Sequence, residues 1–217
     1  MKKLAIIFKL LKKQYPGKKF FADAHTSPYK VLISTILSQR TKDINTLKAA
    51  KQLFDLADTP KEILKLKPSK IEKAIKPAGF YRNKTKTILK VTKQILESYK
   101  GKVPKELDDL LKLQGVGRKT ANCVLVFGFR LPGIPIDVHL HKITNRLGWV
   151  DTKTPDETEM ELRKILPKKY WLDINELFVR HGQTICFSRN PRCQICPINN
   201  YCNHYHEVFL KTKHRHS

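Results

Sequence analysis

The stretch LQGVGRKTAN, residues 113–122, sets two glycines two positions apart, then a basic pair, then small residues able to open a helix. Upstream, ELDDLLKL (106–113) places Leu107, Leu110, Leu111 and Leu113 on one side of a short helix. Downstream, RKTANCVLVFGF (118–129) reads as a second helix with Val124 and Leu125 on its apolar side. Two apolar faces joined by so short a loop must pack as a hairpin. Glycine tolerates positive φ and lets another backbone come close. It also leaves amide N–H groups pointing outward at a helix start, which suits a phosphate. Such a contact positions a nucleic acid without reading its sequence. Taken alone, the Gly-x-Gly pair is an ordinary turn between helices.

The rest of the chain supplies the context. PYKVLISTILSQ (28–39) is apolar enough for a buried helix, and KDINTLKAAKQLFDLA (42–57) is amphipathic. Further helical segments run near 60–66, 69–76 and 83–99, divided by Pro or Gly. DVHLHKITNRLGW (137–149) starts another, with Asp137 placed to cap it, and 155–166 and 171–185 follow. No run alternates as a strand would, and KTKHRHS (211–217) reads as a frayed basic tail. The opening MKKLAIIFKLLKKQYP has its apolar run broken by Lys9 and lacks a small-residue cleavage site. Leu4, Ile7, Phe8 and Leu11 share one face, so it is an amphipathic first helix. No apolar run of 18 residues exists to span a membrane.

Forty-three Lys and Arg against 19 Asp and Glu leave a net charge of +24 on 217 residues. With 41% hydrophobic residues the chain is a folded protein and no mere charged tail. An excess of that size favours a polyanion partner, whose released counterions make binding salt-dependent. The alternative is a lysine-rich solvated surface, as in a hot-growing organism. Four of the five cysteines, Cys186, Cys193, Cys196 and Cys202, crowd near the C-terminus, and Cys123 stands apart in an apolar stretch. Without a secretion signal this grouping points away from disulfides and towards a metal site in an intracellular protein. Four thiolates suit zinc or an iron–sulfur cluster, and ligand count alone leans to zinc.

LQGVGRKTAN, followed by PIDVHLHKITNRLGW (135–149), resembles the helix-hairpin-helix and Gly/Pro–Asp signature of the DNA repair glycosylases. With the cysteine spacing, ILSQRTKD (36–43) and GFYRNK (79–84), the resemblance is to the endonuclease III family and spans nearly the whole chain. It implies an all-α, two-lobed helix-hairpin-helix DNA glycosylase fold with a C-terminal 4Fe–4S cluster loop. One domain would be a six-helix bundle, 21–132, containing the hairpin (106–129). The other would join 1–20 to 133–217 and carry the cluster at 186–202.

The resemblance also assigns roles. Lys119 attacks C1′ of the damaged nucleotide, expels the base and forms a Schiff base that permits β-elimination. An amine nucleophile must be unprotonated, whereas a free lysine has a pKa of about 10.4. A helix start, a neighbouring cation such as Arg118 and partial burial would each favour the neutral amine. Asp137, besides capping its helix, is the family's carboxylate near C1′. Val138 departs from the pattern, since Thr is common there. Gln39 enters the space vacated by the extruded base, with Phe80 as an apolar wedge beside it. Gly115, Val116, Gly117 and Arg118 grip the backbone, and Arg189 and Arg192 of FSRNPR (187–192) reach phosphates. Asp43 lies in the pocket or in the first turn of its helix. His139 and His141 cannot share a helix face and are structural or phosphate-facing. The expected partner is damaged double-stranded DNA, met by a monomer in the cytoplasm. A mismatch-specific glycosylase of the same superfamily and a non-catalytic DNA-binding module are the alternatives. The adenine-removing branch is disfavoured because it carries a glutamate in the helix aligned with 28–39, which has none here.

Overall fold

The computed structural model describes residues 2–17 and 27–210, so the basic tail expected at 211–217 lies outside the described residues. Among them the chain is helical and holds no strand. In chain order the helices are α1 (Lys2–Gln14), α2 (Pro28–Ser38), α3 (Asp43–Phe54), α4 (Pro60–Lys65), α5 (Pro68–Ile75) and α6 (Tyr81–Tyr99). Then come α7 (Leu107–Leu111), α8 (Arg118–Cys123), α9 (Val138–Arg146), α10 (Pro155–Ile165) and α11 (Ile174–Thr184). Contacts divide the chain into two compact units, residues 23–133 and residues 1–22 with 134–217.

The first unit is organised around α2. Tyr29, Val31, Leu32, Ile33, Thr35, Ile36 and Leu37 are all buried, so the helix is enclosed on every side. Ser27 caps it by accepting the Lys30 N–H at 3.3 Å, and Pro28 takes the first helical position, where no N–H is needed. Helices α3, α6 and α8 pack on α2, while α4 and α5 pack on α6. A reciprocal capping box between Thr59 and Glu62 starts α4.

Three elements differ from the sequence reading. Helix α3 stops at Phe54, because the chain must turn within five residues to reach the Thr59 cap. The first hairpin helix is a little over one turn, and Leu113 lies beyond it while still reaching the core. The second helix is α-helical only to Cys123 and then widens to a π-helical turn over Val124–Gly128, with the Phe129 N–H donating to the Val124 carbonyl at 3.1 Å.

In the second unit Ile7, Phe8 and Leu11 of α1 are buried, and α1 packs on α11. Phe8 stacks on Tyr170 with centroids 4.1 Å apart and meets Phe178 at 6.1 Å. Helix α9 also packs on α11, and α10 on α9. Thr154 and Glu157 form a second capping box at the start of α10. No helix among the described residues is long and apolar enough to cross a membrane.

Burial of α2 sets the stability of its unit. Ile33→Ala, at a fully buried position, is expected to cost about 2–5 kcal/mol in urea unfolding. Ile44→Ala, on a residue 72% exposed, should stay within about 0.5 kcal/mol. Equal losses would contradict the packing described.

Candidate nucleic-acid interface and reaction centre

The hairpin between α7 and α8 is rooted from inside. Leu110, Leu113 and Val116 are buried, and the Val116 N–H donates to the Leu113 carbonyl at 3.1 Å. The Val116 side chain is thus turned into the core and anchors the loop. Gly115 adopts φ +80, and a Cβ there would stand 2.5 Å from Thr87 Cγ2 of α6. Gly117 is different: its backbone is extended, and nothing lies within 4 Å of where a Cβ would be. The protein's own packing does not demand glycine at 117, so the bare backbone faces open space. No side chain caps the first turn of α8.

From that turn Lys119 points outward and is exposed, while Thr120, Ala121, Asn122 and Cys123 are buried. The partial burial expected of Lys119 is absent, because the buried flank of α8 is the one facing α2. Arg118 is half-buried, and its carbonyl accepts the Asn122 side-chain amide at 3.0 Å. Cys123 is a small core residue.

Gln39 follows the last turn of α2 and is exposed. Arg40 beside it has φ 52. Phe80 is 62% exposed and also left-handed, φ 46, at the start of α6. A solvated phenylalanine in a conformation costing about 1–3 kcal/mol marks a site shaped for contact. Asp43 sits in the first turn of α3 and is half-buried.

Sequence reasoning missed Lys84. One turn into α6, it is buried, and its ammonium donates to the Leu37 carbonyl at 2.6 Å, the Thr41 hydroxyl at 2.6 Å and the Ala78 carbonyl at 2.9 Å. Burial pushes this amine down to about 8, still above neutrality. Its place four residues after Phe80 was the available signal, since i and i+4 share a helix face.

In the other unit Asp137 caps α9, its Oδ1 accepting the Leu140 N–H at 2.8 Å. The cap occupies one carboxylate oxygen. Val138, next in sequence, is 71% exposed. Both neighbouring histidines turn Nδ1 towards the protein. His139 Nδ1 lies against Gly182 of α11, where a Cβ would come within 2.4 Å. His141 Nδ1 is bonded to the Thr158 hydroxyl at 2.6 Å.

The thiols of Cys186, Cys193, Cys196 and Cys202 line one cavity and form no disulfide. Burial pushes the Cys196 thiol up to about 12, and the charges of Cys186, Cys202 and Cys193 press the same way. Four thiols lining one cavity would need a cationic core to be held there as thiolates. No three such ligands among the described residues converge as a single ion would require. A tetrahedral zinc would draw its sulfurs to about 3.8 Å from one another, whereas a bulkier polynuclear cluster suits thiols spread around a cavity. Arg146, also missed, donates from Nη1 to the Phe187 carbonyl at 2.7 Å and to Cys186 Sγ at 3.1 Å, and from Nη2 to the Ser188 carbonyl at 3.1 Å. It ties α9 to the start of FSRNPR. In that loop Arg189 is exposed, and Arg192 lies 5.4 Å over the Phe187 ring.

Comparison with known proteins accounts for both units. Residues 33–168 match the HhH-GPD superfamily of base excision DNA repair proteins, and residues 186–202 match the iron–sulfur binding domain of endonuclease III. An endonuclease III of Thermotoga maritima is 50% identical over 180 residues, covering 83% of this chain and 84% of that protein. A trapped endonuclease III–DNA covalent intermediate superposes with a TM-score of 0.84 at 32% identity, over 96% of this chain and 99% of that one. A thermostable thymine-DNA glycosylase reaches 0.85 at 22% identity over 95% and 98%, which shows the shared fold alone. With a hairpin, a capping aspartate and a four-cysteine loop in one helical chain, this protein belongs to the endonuclease III family of the HhH-GPD superfamily and carries that family's 4Fe–4S cluster.

Proposed function

We propose that the chain is a bifunctional DNA glycosylase and AP lyase of base excision repair, removing oxidised pyrimidines from double-stranded DNA. It acts as a monomer in the cytoplasm, on chromosomal DNA. The observation that carries this reading is Lys119: an exposed amine at the open start of α8, on a loop whose glycine backbone faces outward. A trapped covalent complex of a related endonuclease III with DNA supports it.

In this reading the base is extruded, with Gln39 and Phe80 filling the space it leaves. The Lys119 amine attacks C1′, the glycosidic bond breaks, and the base departs after gaining a proton. The resulting aminal then opens: the nitrogen lone pair forms C1′=N, the C1′–O4′ bond breaks, O4′ takes a proton, and the nitrogen remains joined to C1′ as a Schiff base. Loss of a C2′ proton then expels the 3′ phosphate by β-elimination, and water releases the enzyme. The free oxygen of the Asp137 carboxylate stabilises positive charge at the sugar or takes the proton from the attacking amine. The loop of Gly115 and Gly117, whose backbone is open at Gly117, holds a phosphate with Arg118, and Val116 keeps that loop in place. Cys186, Cys193, Cys196 and Cys202 hold the cluster, which fixes the loop so that Arg189 and Arg192 meet the DNA backbone. Base removal needs no electron transfer. The likeness to a thymine-DNA glycosylase, being one of fold, leaves the mismatch reading to experiment.

On duplex DNA containing thymine glycol, Lys119→Gln is expected to lower both base release and strand nicking by on the order of 10³-fold or more. Tight duplex binding by the unmutated chain without base release would favour a binding module. Release only of mismatched bases would favour the mismatch enzyme. Asp137→Asn should keep the cap, since Asn serves as well there, and leave the melting temperature unchanged. Its single-turnover excision should nonetheless fall about 10²-fold. Unimpaired excision would reduce Asp137 to a helix cap.

A further inference from the structure

The contacts of Lys84 have a common address. Leu37 lies two residues before Gln39, Thr41 two residues after it, and Ala78 two residues before Phe80. All three N–H bonds of one ammonium are thus used on the two turns that present the exposed Gln39 and Phe80 side chains. The Thr41 hydroxyl extends the link, standing within hydrogen-bond distance of the Ala78 carbonyl and 3.1 Å from the Gln39 carbonyl. The carbonyls of Leu37 and Ala78 belong to the ends of α2 and of the 3-10 turn after α5, where the negative end of the peptide dipoles favours a cation. Each turn also contains a left-handed non-glycine residue, Arg40 in one and Phe80 in the other. Such conformations persist where the surroundings hold them.

We propose that Lys84 is a positioning residue for base extrusion, its ammonium pinning the Gln39 turn to the Phe80 turn so that both gap-filling side chains enter the duplex as one rigid unit. The proposal rests on the assignment of Gln39 and Phe80 to the vacated space. Lys84 touches no substrate; it acts through those two residues. A lysine is suited to this because its three donors diverge from one atom and can bridge oxygens on two backbone segments. An apolar side chain in the same volume would fill the space and join nothing.

The test is a double-mutant cycle. Lys84→Met removes the ammonium and keeps the apolar bulk; Gln39→Ala/Phe80→Ala removes the two wedges. Single-turnover excision of thymine glycol from duplex DNA is measured together with the fluorescence of a 2-aminopurine next to the lesion, which reports its unstacking. Lys84→Met should slow both signals about tenfold to a hundredfold, and should slow excision less than twofold in the background lacking the wedges. Thermal unfolding and iron content show that each variant is folded and loaded. If Lys84→Met does not fold, Thr41→Val, which loses only the bridging hydroxyl, should slow unstacking in the same wedge-dependent way. An equal slowing by Lys84→Met or Thr41→Val in both backgrounds, or none in a folded variant, overturns the proposal. If removing the wedges leaves excision and unstacking unchanged, the gap-filling assignment itself falls and takes the proposal with it.

Discussion

The close approach of Gly115 to Thr87 is the contact on which the reaction centre depends. With φ +80 and a would-be Cβ 2.5 Å from the Thr87 methyl, glycine at 115 lets the loop lie on α6 without strain or a shift of Thr87. With the loop seated there, Val116 enters the core and α8 starts immediately afterwards. Helix α8 then lays its buried flank on α2 and leaves its first turn outside. The exposure of Lys119 follows from that geometry, as does the open space around Gly117. The backbone clamp and the amine are two ends of one packing arrangement.

A chain with so large a positive charge uses its cations in two ways. Most are solvated and suit a polyanion. Lys84 and Arg146 instead turn inward and bind backbone carbonyls, Lys84 at the ends of α2 and of a 3-10 turn and Arg146 in the loop after α11. Lys84 serves the turns beside Gln39 and Phe80, and Arg146 serves the loop that opens at Cys186. Carbonyl oxygens left over at helix ends and turns need donors, and a cation with several N–H groups satisfies two or three at once. The loops assigned to DNA in the proposed function are thereby held from behind.

Much of the fold could be read locally. The apolar circumference of α2, the amphipathic α1 and the caps at Ser27, Thr59, Thr154 and Asp137 all depend on residues within four positions of one another. The cysteine spacing and the glycine pair were legible for the same reason. Lys84 and Arg146 were not, because their partners lie 47 and 41 residues away in the chain. The burial expected of Lys119 failed similarly: which side of a short helix faces water is decided by what packs on its other side. That Val116 roots the loop was equally hidden, since burial of its side chain depends on the core it enters. The widening of α8 into a π-helical turn had no sequence signal, since VLVFG is equally at home in an α-helix.

Among the many lysines of the chain, the hairpin amine is the one assigned to the reaction in the proposed function. Borohydride reduction during turnover on duplex DNA with an abasic site fixes the imine as a stable secondary amine, and digestion followed by mass spectrometry locates it. A single modified peptide is expected, with the sugar remnant on Lys119. An adduct on the amino terminus or on any other lysine would contradict that assignment.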